Sequence, residues 1–218
     1  MRNGGKRWVV VLAGGEGERM RPHITRWLGS HRPKQYCAFI GEKTMLEHTM
    51  ERALGLADAG RIVTVIGLGH WRHLDEPRRL AVPGKIIEQP HNKDTAPGIY
   101  LPLSYVLAAD PEALVAVLPS DHFIRPKRQF SMYVDRAFAL AERLEEQIVL
   151  LSFPAERPEP DYGWIETGGP ATVAALSAKV VVGFHEKPDA EAAERFHRQG
   201  LLWNTMIMVA KAKTFWAM

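Results

Sequence analysis

The sequence predicts an α/β fold in three layers, with a mostly parallel central sheet and a mixed edge region. Two patterns carry that expectation. Apolar runs such as Val9–Leu12 and Leu114–Leu118 do not alternate with polar residues, as in strands buried on both faces. Segments of helical periodicity separate the strands, and strands alternating with helices build parallel crossover units. Length agrees, since 218 residues with 46% hydrophobic and 24% charged content can bury one large core.

In chain order, Arg7–Ala13 is the first strand and runs straight into Gly14, Gly15 and Gly17. Thr44 and Glu47 have capping-box spacing, and Leu46, Met50, Ala53, Leu54 and Ala57 continue a helix up to Gly60. Arg61–Ile66 and Lys85–Glu88 read as the next strands. Asp94 or Thr95 then caps a helix that presents Ile99, Leu103, Val106 and Leu107 and ends at Asp110 and Pro111. Leu114–Leu118 is a buried strand, Tyr133–Glu145 a helix and Ile148–Phe153 a further strand. Pro154, Pro158 and Pro160 stiffen the following loop, and Tyr162–Glu166 with Lys179–Glu186 form edge strands walling a cleft. Asp189–Gln199 is a short helix, Leu201–Val209 a strand, and the last residues begin another helix. No internal repeat or low-complexity segment interrupts this order.

Cys37 has no partner for an internal disulfide and there are eight methionines, which together favour a reducing, cytoplasmic setting. The basic start followed by Trp8–Ala13 is too short for a signal peptide and meets Glu16, Glu18 and Arg19 at once. No apolar run approaches the ~20 residues that cross a bilayer, so no membrane role is expected. Net charge is only +3, yet Arg21, Arg26, Arg32 and Lys34, with His23 and His31, share a stretch without acids. That stretch lacks the aromatic interleaving of single-strand binders, so a small phosphorylated ligand is expected and no nucleic acid.

In open parallel sheets, ligands bind beyond the carboxyl ends of the strands. Three loops there carry chemistry: Gly14–Arg19, Gln89–Thr95 and Pro119–His122. The first is neither GxGxxG, because Met20 stands at the last glycine position, nor a Lys-Ser/Thr phosphate loop. Its glycines let backbone amides approach phosphate, and Arg19 can hold phosphate bidentately. A tight turn with a solvent-facing Arg19 explains the loop equally well. Pro33 fixes the backbone before Lys34, although a lone Pro-Lys is usually a solvated loop. Asp121 falls at the end of a buried strand, where a carboxylate can bind magnesium, and its simpler reading is a helix cap. His122 is read as packing or hydrogen bonding.

In combination these residues resemble the nucleotidyltransferases that activate sugar 1-phosphates, with their GGxGxR loop and Pro-Lys element. The quoted segments are Gly14–Arg19 and Pro33-Lys34. Pro33-Lys34-Gln35, Asp94–Pro97, Pro119–His122, Phe184–Pro188 and Trp203-Asn204 are similar to the mannose-1-phosphate guanylyltransferases. The resemblance implies a Rossmann-like three-layer nucleotide-diphospho-sugar transferase fold, with residues 1–218 as one catalytic domain shortened at its carboxyl end. It also implies GTP and mannose 1-phosphate as substrates, Mg²⁺ as cofactor and GDP-mannose as product, and it is compatible with a homo-oligomer.

By the same resemblance, Arg19, Lys34 and Asp121 are catalytic, with Asp121 on the metal. Leu12, Ala13, Gly14, Gly15, Gly17, Gln89, Thr95, Ala96 and Ser120 contact the nucleotide. Gly163, Glu186, Lys187 and Asn204 bind the sugar phosphate. The chain departs from the family pattern at Met20-Arg21 and at Thr205-Met206, where Leu-Trp and Ser-Gly are usual, and it has no acid after Glu194. Another base or sugar, or a non-catalytic sugar-nucleotide-binding regulator, therefore stands as the alternative.

Overall fold

The computed structural model describes residues 6–173 and 175–218, so of the basic start only Lys6 and Arg7 are described and residues 1–5 lie outside. In chain order the first half contains β1 (Arg7–Ala13), α1 (Arg21–Leu28), α2 (Met45–Leu54), β2 (Ile62–Gly67), α3 (Glu76–Ala81), β3 (Lys85–Gln89) and α4 (Thr95–Ala109). The second half contains β4 (Leu114–Pro119), α5 (Lys127–Ala141), β5 (Val149–Pro154), β6 (Gly163–Val173), β7 (Leu176–Glu186), α6 (Ala190–Gln199), β8 (Leu202–Lys211) and α7 (Ala212–Trp216).

The strands form one sheet in the order β3-β2-β1-β4-β8-β6-β7, with β5 paired to β8. The first four in that order are parallel, with Val10 opposite both Val63 and Val117. From β8 onward pairing is antiparallel, giving the mixed edge. The fold is therefore a three-layer α/β sandwich of the expected class.

β1 shows why the strands lack alternation. Val9, Val11 and Ala13 face Leu46, Met50 and Ala53 of α2 and Phe130, Val134 and Phe138 of α5. Trp8 and Val10 face Ile99, Leu103 and Val106 of α4 and Phe215 of α7. Each large side chain so buried contributes about 1.5–3 kcal/mol relative to exposure, and a polar residue on either face would forfeit that.

The capping box is present: Thr44 accepts from the Glu47 amide, and Glu47 accepts from the Thr44 amide at 2.7 Å. The helix nevertheless ends at Leu54 and not at Gly60, and Leu56 and Ala57 are buried from the turn that follows. Their apolar spacing imitates further helix. α5 starts at Lys127, before the expected Tyr133, because its exposed first turn buries only Phe130. Two short helices were not anticipated: α1 buries only Ile24, and α3 buries nothing, so neither has a periodic apolar face. β6 and β7 are longer than expected and pair as one hairpin through register shifts around Thr167–Pro170. Among the described residues no helix is long and apolar enough to cross a membrane.

The chain builds outward from β1 through β2 to β3, then returns to place β4 on the other side of β1. This reversal opens a crevice at the carboxyl ends of β1 and β4, the usual ligand position in such sheets.

Candidate functional site

The loop leaving β1 lies over this crevice and is tied to its surroundings through consecutive backbone carbonyls. The buried Gln35 amide nitrogen donates to the carbonyls of Ala13 and Gly15 at 2.9 and 2.8 Å. Gln89 donates to the Gly14 carbonyl at 3.4 Å, and His31 Nε2 lies 3.0 Å from that of Glu16. A Cβ on Gly14 would lie 2.4 Å from Gln89 Nε2, so any larger residue there would displace the Gln89 side chain. Gly17 adopts φ 66° against the backbone of Pro33 and Lys34, so both turn geometry and close approach call for glycine.

Behind the loop is a buried polar relay. Gly67 donates its amide to His70 Nδ1, which places the imidazole proton on Nε2, 2.9 Å from Glu16 Oε1. The Tyr36 hydroxyl lies 3.3 Å from both the Ala13 carbonyl and His70 Nδ1, and burial drives its pKa well above the ordinary phenol value. The relay anchors the loop through the Glu16 side chain as well as its backbone.

Lys34 and Asp121 meet at the mouth of the crevice, with Nζ 2.6 Å from Oδ2. Lys34 opens a single helical turn set by Pro33, and Asp121 follows β4, where the Ser120 amide donates to the Leu12 carbonyl at 3.1 Å. Asp121 is not a helix cap, since α5 begins after Pro126. Burial pushes the Asp121 pKa up, but the charges of His122 and Lys34 outweigh burial and hold it below the usual carboxylate value. His122 is itself lowered by burial. Its carbonyl accepts from Arg52 at 2.8 Å, and Arg52 also donates to Thr49 at 2.6 Å while only 4% exposed.

The opposite wall comes from the β6–β7 hairpin and β8. Gly163 pairs with Glu186, and a Cβ on Gly163 would lie 2.8 Å from Glu186 Oε2 and 3.4 Å from the Asn204 Cβ. Glu186, Gly163 and Asn204 therefore share one small patch. Lys187 stands beside it with Nζ 3.2 Å from Glu186, on a backbone turned to φ 44°. Asn204 accepts from the Met206 amide at 3.0 Å, which holds Met206 at φ 57° where glycine was the expected residue. Arg19 links the two walls through Asp161 at 3.0 Å, with both side chains exposed.

Of the anticipated residues, Leu12, Ala13, Gly14, Gly15, Gly17, Lys34, Gln89, Ser120 and Asp121 are joined by contacts around the crevice. Thr95 and Ala96 lie exposed in the first turn of α4, and Gly98 of the same helix comes against Gln89, 3.6 Å from a Cβ built on it. Asp94 sits at the cap position but makes no side-chain cap bond. Sequence reasoning assigned no role to Gln35, His31, His70 or Arg52. Gln35 and His31 carried a signal, the first directly after Pro33-Lys34 and the second in the stretch without acids.

Among the described residues, two groups could hold a cation. Glu16, Glu18 and His31 place ligand atoms within 4.8 Å of one another, but Glu16 is bonded to His70 and Glu18 to Arg21 at 2.8 Å. Asp121 offers a hard carboxylate oxygen at the crevice mouth, of the kind a divalent cation takes.

A family model described as Nucleotidyl transferase matches residues 8–217. The xanthan biosynthesis protein XanB of Xanthomonas campestris is 30% identical over 208 residues, covering 94% of this chain and 42% of that protein. A mannose-1-phosphate guanylyltransferase of Klebsiella pneumoniae is 30% identical over 208 residues, covering 94% and 43% respectively. A solved structure described as mannose-1-phosphate geranyltransferase from Thermus thermophilus superposes with TM-score 0.82 at 28% identity, over 96% of this chain and 58% of that one. The chain thus spans about two-fifths of the length of these curated relatives.

Proposed function

The chain belongs to the nucleotidyl transferase family, and on that basis we propose that it transfers a nucleotidyl group from GTP to mannose 1-phosphate, giving GDP-mannose and pyrophosphate. The observation that carries this reading is the Lys34–Asp121 pair beside the glycine loop at the switch between β1 and β4. The mannose-1-phosphate guanylyltransferase among the relatives supports the choice of base and sugar.

In this reading Leu12, Ala13, Gly14, Gly15 and Gly17 contact the nucleotide, with Gln89, Thr95, Ala96 and Ser120 lining its base and ribose pocket. Arg19 exchanges Asp161 for the triphosphate, which is a stronger anion than one carboxylate. Lys34 moves from Asp121 onto the α-phosphate. Glu186 and Asn204 bind sugar hydroxyls around Gly163, and Lys187 holds the sugar phosphate. Asp121 would hold magnesium together with the phosphates, and the ion supplies charge neutralisation across the triphosphate.

A sugar-phosphate oxygen attacks the α-phosphorus in line. The new P–O bond forms as the bond to the β-phosphate oxygen breaks, and the electron pair leaves with pyrophosphate. The attacking monoester is ionised at neutral pH, so the reaction needs neither a protein nucleophile nor a strong general base. The protein's work is to align two polyanions and offset their repulsion, which accounts for the cations on both walls.

The test is pyrophosphate release with magnesium, mannose 1-phosphate and each of the four ribonucleoside triphosphates, beside Lys34→Ala. Release selective for GTP and lost in the variant is expected. GTP binding without any release would instead favour a regulatory relative.

A further inference from the structure

We propose that Gln35 is a positioning residue that aims two amides of the glycine loop at the triphosphate, an inference that rests on the nucleotide-binding reading above. One nitrogen, Gln35 Nε2, holds the carbonyls of both Ala13 and Gly15, at 2.9 and 2.8 Å. A trans peptide sets each carbonyl opposite the N–H of the next residue, so the amides of Gly14 and Glu16 are both turned away from Gln35. Their direction follows from β1. The Leu12 carbonyl faces β4, where it accepts the Ser120 amide at 3.1 Å. Strand alternation puts the Ala13 carbonyl on the β2 side and returns the Gly14 N–H to the β4 side, towards Ser120 and Asp121.

Among the described residues neither the Gly14 nor the Glu16 amide has a hydrogen-bond partner. Two neighbouring unpaired N–H groups fixed from behind form a small anion-binding concavity, and fixing them beforehand removes the cost of ordering them at the moment of binding. Gln35 is suited to this because it is 4% exposed and spends its donors on backbone oxygens.

The experiment compares wild type with Gln35→Met, which keeps an unbranched side chain of similar size and removes the donor. Binding of magnesium-GTP and of inorganic tripolyphosphate, which reports the loop without the base pocket, is measured by calorimetry, and KM is measured for both substrates. The inference predicts at least about tenfold weaker binding of both triphosphates and a raised KM for GTP, with the mannose 1-phosphate KM within about twofold. A general loss of structure would move both KM values. Equal triphosphate binding by wild type and Gln35→Met overturns the role of Gln35 alone. Wild type that binds neither GTP nor tripolyphosphate overturns the nucleotide reading and this inference with it. Should Gln35→Met not fold, the wild-type amide resonances decide: Gly14 and Glu16 must shift on adding tripolyphosphate, and their constancy overturns the inference.

Discussion

Replacing Arg52 with methionine should damage turnover more than stability. Arg52 is 4% exposed, and burial pushes its pKa down to about 10, against the opposing pull of Glu51. The fall from the ordinary 12.5 corresponds to roughly 3 kcal/mol of desolvation carried by the folded state. Against this stand hydrogen bonds to Thr49 at 2.6 Å and to the His122 carbonyl at 2.8 Å. Two charge-assisted bonds contribute about 3–6 kcal/mol together. Arg52→Met removes both contributions and keeps most of the volume, so the net loss is about 0–3 kcal/mol. For a domain of this size that lowers Tm by at most about 12 °C. The freed His122 carbonyl, however, lets the turn carrying Asp121 move, and small displacements of reacting groups cost about tenfold to a hundredfold in rate. Thermal unfolding and pyrophosphate release on one preparation separate the two effects. Unchanged turnover in a folded Arg52→Met protein would show that the bond to the His122 carbonyl does not position Asp121.

Three further outcomes are expected. Gly163→Ala drives a methyl to within 2.8 Å of Glu186 Oε2, so the mannose 1-phosphate KM should rise about tenfold while the GTP KM stays near wild type, as initial-rate kinetics will show. Gly84→Ala should cost at least about 3 kcal/mol in urea unfolding, because its Cβ would meet the Ile62 carbonyl oxygen at 2.1 Å from a backbone at φ 75°. Glu51 is held at about 2 by hydrogen bonds from Lys127 and Lys43, below its ordinary 4.5. Its stabilisation is therefore complete above about pH 4.5 and disappears as pH falls towards 2; the exposed lysines limit it to about 1 kcal/mol. Glu51→Gln should lose that amount at neutral pH and match wild type once the carboxylate is protonated, as urea unfolding across the acid range will show.

The parts of the fold legible in the sequence are those where one physical effect dominates. β1 and β4 are buried on both faces, so their residues are apolar without interruption, and Thr44 and Glu47 display their cap openly. The helices α1 and α3 bury one residue and none, respectively, so no periodicity announces them. Leu56 and Ala57 misled the boundary of α2 because a buried turn needs apolar residues as much as a helix does.

The site divides in the same way. Lys34 and Asp121 stand out in the sequence by charge and position, whereas their contact at 2.6 Å became visible only in the structure. The supports were hidden, because Gln35, His31 and Arg52 act on backbone carbonyls, which every residue possesses. The left-handed backbone at Met206 is a related case: Asn204 imposes the turn through the Met206 amide, so the conformation persists without glycine.

Transfer of the α-phosphorus to a sugar phosphate is the step on which every assigned role depends, and GTP labelled at that phosphorus follows it from substrate to product. Incubated with magnesium and mannose 1-phosphate, the protein should move the label into a sugar nucleotide and leave the released pyrophosphate unlabelled. Label retained in GTP, attached to the protein or found in pyrophosphate would be incompatible with direct nucleotidyl transfer.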